Sequence, residues 1–475
     1  MKKLLPLVLL GLLSCTKSQA PLTASLSVPC SSQTYACDYA GVDVVQPGPA
    51  PFTSLSPINT VVQETVLSKA RISRVTGPSS GGGVCKTTEW NSTPSGGAYD
   101  VITNVNGTLL GLRCDGGESY IVGFNPHSLQ VYPASGTFTI KCNGSLEFSR
   151  TNYLEAYCTQ GTTLSVITFV KELGTNLCGQ GIGSCPSITT IPTWATVYDF
   201  STCPKAPTGS PLWHSILGVG RGDTSFAQAF SYSGGQNTGH ILFYLKNGKC
   251  STFDTQGNGT NPIWYNSSNV ATILSSVNAV WTIHDVTSNG PYVAIPIGTC
   301  KGTACGGDGP PTWEANTSNV IMFNGILGAS GHHDYSMSYF LNSANPIINR
   351  HQLTSPTASV KVGTLSCSPC QDTHFNAAVN NDTDPILGTT AGPNGVWTAP
   401  YKNEVYGMSV TGTVWRFSPC WTSGTTVTNF WAQNCIGAPN QPRTVMFITS
   451  DMLGQLGKTG TLNRWDIFAV GLVGQ

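Results

Sequence analysis

Charge is the scarcest ingredient of this chain. Only 10% of its residues are charged, against a usual ~25%, and 23 Lys and Arg balance 23 Asp and Glu. Without a basic excess there is no electrostatic footprint for nucleic acid and no basic face for anionic lipid. Helical periodicity is nearly as scarce, with one weak pattern around Gln63–Ala70. Beyond the N-terminus no apolar run approaches the ~20 residues a membrane-spanning helix needs. No Gly-x-Ser-x-Gly stands between a strand and a helix pattern, and no helix follows Gly218-Val-Gly220-Arg-Gly222. Neither a nucleophile elbow nor a phosphate loop is therefore expected. What the chain does have is apolar bulk: 40% hydrophobic residues, with 11 Trp, 16 Tyr and 17 Phe, enough for a large core.

Met1-Lys2-Lys3 followed by the apolar Leu4–Leu13 reads as a secretory signal. Leu12-Leu13-Ser14-Cys15 resembles a bacterial lipobox, which makes 1–14 the signal peptide and Cys15 the lipidated mature N-terminus. Cleavage after Ser18-Gln19-Ala20 is the alternative and would release a soluble protein. Residues 15–60, rich in Pro, Ser and Thr, read as a tether holding a domain at 61–475 off a membrane. The expected location is extracytoplasmic, lipid-anchored to a bacterial membrane, the outer membrane or the cell surface.

Cysteine usage agrees with export. Of 17 cysteines, 16 remain once Cys15 is set aside, and they fall as near neighbours. The pairs are Cys30/Cys37, Cys85/Cys114, Cys142/Cys158, Cys178/Cys185, Cys203/Cys250, Cys300/Cys305, Cys367/Cys370 and Cys420/Cys435. Sequential pairing would staple hairpins or loops in an oxidising compartment. Cys367-Ser-Pro-Cys370 has redox spacing but no βαβ setting, so a structural bridge is expected there too.

From Asn59 onward the pattern is β. Short runs such as Tyr120–Phe124, Leu164–Val170, His240–Leu245 and Thr444–Thr449 are rich in β-branched and aromatic residues, with Asn-Gly turns at 106, 143, 247 and 289. Strands at this spacing without helices point to a sandwich or a propeller. Imperfect units near 61–135, 136–190, 191–260, 261–325, 326–368, 369–425 and 426–475 favour an all-β propeller of seven degenerate, disulfide-stapled blades, with six or eight as alternatives.

Histidines supply the strongest chemical pattern. Trp281-Thr-Ile-His284-Asp285, Gly331-His332-His333-Asp334 and Gln371-Asp372-Thr-His374 recur every 40–50 residues or so. If the units bring them together, His284, His332 and His374 can ligate a transition metal, with Asp285, Asp334 and Asp372 as ligands or ring-orienting acceptors. The favoured expectation is that each His-Asp pair braces a turn and that no cofactor is bound. Glu314 and Glu404 offer carboxylates without a signature pairing them, and Arg221-Gly222-Asp223 reads as a chance tripeptide.

Ile283-His284-Asp285-Val286, Asp372-Thr-His374-Phe-Asn, Ala399-Pro-Tyr-Lys-Asn-Glu404-Val-Tyr-Gly, Val414-Trp-Arg-Phe417 and Arg464-Trp-Asp466-Ile-Phe-Ala-Val470 resemble uncharacterised exported, WD-repeat-like β-propeller lipoproteins of acidobacterial type. The resemblance covers about 270–475 and implies a propeller without a known activity. In place of that family's usual last turn stands Ala438-Pro-Asn-Gln-Pro. Gln371-x-x-His374 alone is similar to oligogalacturonate-lyase-type propellers, which hold a metal through histidines. The function expected is a monomeric binding scaffold for a glycan or protein partner; the alternative is a metal-dependent carbohydrate-active lyase or hydrolase.

Labelled palmitate is expected to enter the wild-type protein and not Cys15→Ser. Equal labelling of the two would leave a secreted soluble protein.

Overall fold

A computed structural model describes residues 47–77, 85–87, most of 102–169, strands between 192 and 391, and most of 401–472. Among the described residues there is no α-helix. The described residues form seven antiparallel sheets of four or five strands and one two-stranded hairpin.

Sheets are numbered in chain order, each from its first strand outward. Sheet I holds Cys85–Thr87, Leu109–Cys114, Ser119–Asn125 and Gln130–Tyr132, with Ile140–Cys142 also paired to Ser119–Asn125. Sheet II runs Ser145–Phe148, Glu155–Gln160, Thr163–Thr168, Thr193–Asp199. Sheet III runs Ser210–His214 with Gly218–Val219, Ser225–Ser233, His240–Lys246, Lys249–Asp254. Sheet IV spans Thr260–Tyr265 to Ala294–Thr299, sheet V Val320–Gly325 to Ser355–Thr364, and sheet VI Asp372–Asn376 to Val414–Pro419. Sheet VII begins with Ile436–Pro439, Val445–Ser450 and Asp466–Gly471. Its outer strands are Arg71–Arg74 and Val61–Gln63, from the other end of the sequence.

That last sheet closes a ring. Ile72 lies opposite Val470 and Arg74 opposite Phe468. Sheet VII then touches sheet I, whose Cys85–Thr87 strand meets Val445–Ser450 and Asp466–Gly471. Each sheet contacts the next, and at the join of V and VI a Cβ on Gly363 would meet the Met408 sulfur at 2.7 Å. The result is a β-propeller. The expected first unit, 61–135, is corrected by this closure, because strand pairing sends 61–74 to the last sheet.

Apolar residues are buried between sheets. Phe124 and Val122 of sheet I pack with Phe447 and Ala469 of sheet VII, their Phe rings edge-on at 4.9 Å. Tyr157 of sheet II meets Phe226 of sheet III at 4.7 Å. The Cys142–Cys158, Cys203–Cys250 and Cys420–Cys435 disulfides form as expected from the sequence. Of the expected hairpin or loop staples these are the loop kind: they tie sheet I to II, the end of II to III, and the end of VI to the start of VII. Cys85 sits opposite Cys114 on neighbouring strands. Cys15, Cys30, Cys37, Cys178, Cys185, Cys300, Cys305, Cys367 and Cys370 lie outside the described residues.

The weak helical pattern at Gln63–Ala70 is not a helix. Buried Glu64 gathers the backbone amides of Val66, Leu67, Ser68 and Lys69 onto its carboxylate, wrapping the chain into a tight turn. A charged acceptor offering two oxygens to four amides outbids the helical ladder. The end of the segment read as tether also packs: Phe52 is buried against Phe468, ring centroids 5.0 Å apart.

Closure is locked by a buried ion pair. The Arg74 guanidinium donates to Asp466, Thr53 O, Ser56 O and Thr76 O, while Arg464 reaches Asp466 at 2.7 Å. Losing one partner of a buried pair strands the other, typically at about 3–5 kcal/mol. Asp466→Ala, which strands two arginines, is expected to lower the unfolding free energy by at least that order in urea titration. A change under about 1 kcal/mol would mean that the closure does not depend on this pair.

Candidate functional site

In sheets VII, I, II and III the described turns leading into the second strand interlock. In sheets I and VII the turns share one construction. Asn104 Oδ1 accepts from the amides of Thr108 (2.7 Å) and Leu109 (3.0 Å), and Asn440 Oδ1 from those of Thr444 (2.8 Å) and Val445 (2.9 Å). An Asn side chain can stand in for a backbone acceptor in this way, so an Asn-x-x-x-Thr turn is self-templating. The two turns press together: at Gly107, with φ +68°, an added Cβ would lie 2.8 Å from Asn440 Nδ2.

Bonds between the turns extend this contact across four sheets. Gln441 donates through its amide to Thr103 Oγ1 (2.9 Å), and through Nε2 to Thr103 O (2.7 Å) and Ser149 O (3.2 Å). Asn104 Nδ2 donates to Tyr153 O at 2.7 Å. Asp223, in the sheet III turn, accepts from the Ser149 and Thr151 hydroxyls and, at 2.9 Å, from the Arg150 amide. Arg150 answers by donating to Val219 O at 3.2 Å and to Glu147 Oε1 at 2.9 Å. Sheets VII, I, II and III are thus stitched at one end.

Two acceptors in this network lack a donor. Glu147 Oε2 and Gln441 Oε1 are buried without a hydrogen-bond partner among the described residues. Burial pushes the Glu147 carboxyl up to about 8, against the pull of Arg150 and the Val219 amide, and the Asp223 charge adds to the rise. Desolvation is the largest of these effects and prevails over the ion pair.

The other prominent acids are structural. Glu404 grips Arg416 through both carboxylate oxygens, and that guanidinium lies 4.9 Å from the centre of the Tyr401 ring. Glu404 is therefore no exposed acid, and Glu314 lies outside the described residues. Asp451 accepts from Ser423 and Asn463.

The expected histidine ligands fall on strands of different rank. His284 ends the third strand of sheet IV, His332 lies outside the described residues just before the second strand of sheet V, and His374 is in the first strand of sheet VI. His284 faces Ala271 in register and His333 opens its strand, which places both backbones at the first-turn end. Their side chains lie outside the described residues. Among the described residues no three His, Cys, Asp or Glu gather as for a metal.

Sequence reasoning missed Glu147 and Arg150 altogether. Asp223 was in view as the end of Arg221-Gly222-Asp223, and Gln441 as part of the divergent last turn. The repeated Asn-x-x-x-Thr spacing at 104–108 and 440–444 was the available signal.

No family model matches the chain, and no curated protein matches it. It is similar in structure to an oligogalacturonate lyase in complex with manganese, at 10% identity and TM-score 0.54, over 88% of this chain and 96% of that one. It is also similar to a streptogramin B lyase (12% identity, TM-score 0.40, 82% of this chain and 97% of that one). A third likeness is to the β-propeller domain of Myceliophteria thermophila Cps50 (Swd1), at 10% identity and TM-score 0.36, over 81% of this chain and 99% of that one. At such identity the first likeness shows the propeller fold and no chemistry.

Because Glu147 titrates near 8 in the folded state and near 4.5 when unfolded, the native state holds the extra proton between those values. Its contribution therefore makes stability fall as pH rises through that window. Glu147→Gln is expected to remove that part of the fall, on the order of a few kcal/mol between pH 5 and 8. Urea midpoints at each pH measure it, and parallel profiles for the two proteins would refute the shift.

Proposed function

We propose that this chain is an exported, surface-anchored, seven-bladed propeller that binds a glycan or protein partner on the face built by its first-strand turns. The observation carrying this reading is the side-chain network that locks the turns of sheets VII, I, II and III together. Loops carry recognition on most scaffolds, and loops already fixed lose little freedom on binding. Anchoring rests on the Cys15 lipobox, and disulfides between sheets suit an oxidising compartment. The exported acidobacterial-type family named by the sequence resemblance fits the same picture.

A metal-dependent carbohydrate-active enzyme is the second reading. It is supported by His284 and His333 sharing the first-turn end of adjacent sheets. One structural neighbour is a lyase in complex with manganese, which makes that protein the natural comparison. His284, His332 and His374 would be the ligands, and neutral imidazoles with nearby carboxylates suit Mn²⁺ or Zn²⁺.

One experiment separates the two. Protein made without a His-tag is stripped with chelator, assayed for metal, and applied to an array of neutral and acidic glycans. Glycan capture that survives chelation and weakens about tenfold in Gln441→Ala is the expected result. Stoichiometric metal lost in His284→Ala, with glycan turnover that chelation abolishes, would establish the enzyme instead.

A further inference from the structure

The outer strand of sheet II, Thr193–Asp199, is unlike its counterparts. Its residues from Thr193 to Val197 are all exposed, on both faces. The equivalent strand of sheet VI, Val414–Pro419, is buried beyond its first residue. Three large hydrophobic side chains are exposed among the described residues, Leu55 (89%), Trp194 (40%) and Val197 (38%), and two of them share this strand. A lone exposed apolar residue needs no explanation, but two on an open strand point to a contact surface.

Its chemistry narrows the occupant. Thr193 to Tyr198 carries no charge, and the adjoining Asp199 is occupied by Thr162 and the Ser201 amide. An ionic partner has nothing here to pair with. Trp194 and Thr196 stand two residues apart, on one side of the strand by its alternation. Trp194 and Thr196 are both exposed, so a flat apolar ring lies beside polar groups that face solvent. The strand is also irregular: Thr196 lies opposite Ser165 and Tyr198 opposite Leu164, leaving Val197 bulged out of the ladder. Such a bulge spoils an edge for adding another strand, whether from a peptide or from a second copy.

We propose that Thr193–Tyr198 is a docking strip for an uncharged polysaccharide. One sugar face stacks on Trp194, and sugar hydroxyls bond to the Trp194 N–H and Thr196 Oγ1. The strip is on the rim of sheet II, separate from the first-turn face, and does not depend on that face binding anything.

Native-gel mobility of the whole chain in dissolved hydroxyethylcellulose and in laminarin, with polygalacturonate as an acidic comparator, tests the strip. At least one neutral polymer is expected to retard the wild type. Trp194→Ala should weaken that retardation about tenfold with an unchanged thermal midpoint, Trp194→Phe should retain part of it, and Gln441→Ala should leave it intact. Retardation by polygalacturonate alone, by no polymer, or equally for wild type and Trp194→Ala overturns the proposal. So does a dimer in sedimentation that Trp194→Ala dissolves, since a second copy would then cover the strand.

Discussion

The whole molecule depends on one long-range pairing, Arg71–Arg74 against Asp466–Gly471. Sheets here bury their apolar residues against the neighbouring sheet, so each interface needs a sheet on either side of it. An open ring would leave the face of sheet VII that carries Met446, Ile448, Phe468 and Val470 without the cover of Phe52, Ala70 and Ile72. The buried Arg74–Asp466 contact adds register to this pairing. Slipping the strand by one residue would turn a guanidinium that now has four acceptors into an unpaired buried charge.

Closure also explains the interlocked turns. Once sheet VII abuts sheet I, the turns at Asn104 and Asn440 arrive side by side, close enough that Gly107 has no room for a side chain. Gln441 then spans two neighbours at once, and Asp223 clasps the turn of sheet II from the opposite side. Short polar residues serve here because each turn must satisfy its own amides and still have a donor or acceptor left for the next.

Local physics was legible in the sequence and long-range geometry was not. β-Branched runs and Asn-Gly turns are properties of neighbouring residues, and they gave the all-β ring. Near-neighbour cysteine pairing was legible for the same reason, although only the fold reveals that Cys142 and Cys158 belong to different sheets. Nothing near Arg74 indicates that its partner stands almost four hundred positions later. A constant interval between histidines does not fix their rank in a sheet: His284 and His374 fall on third and first strands. Glu147 was invisible because a lone Glu followed by an Arg three residues on reads as an ordinary surface pair.

The strand that closes the ring is also the first strand pair met on entering the described chain from its N-terminal side. Tension transmitted from that end therefore meets first the packed Phe52–Ser56 segment, held by Phe468 and Arg74, and through it the seam of Arg71–Arg74 with Asp466–Gly471. Strands drawn along their own length resist in shear, with every rung of the ladder loaded together, whereas strands pulled apart sideways yield one rung at a time. A propeller held by its N-terminus against flow would bear the drag across its seam, with the Arg74–Asp466 contact acting as a mechanical catch.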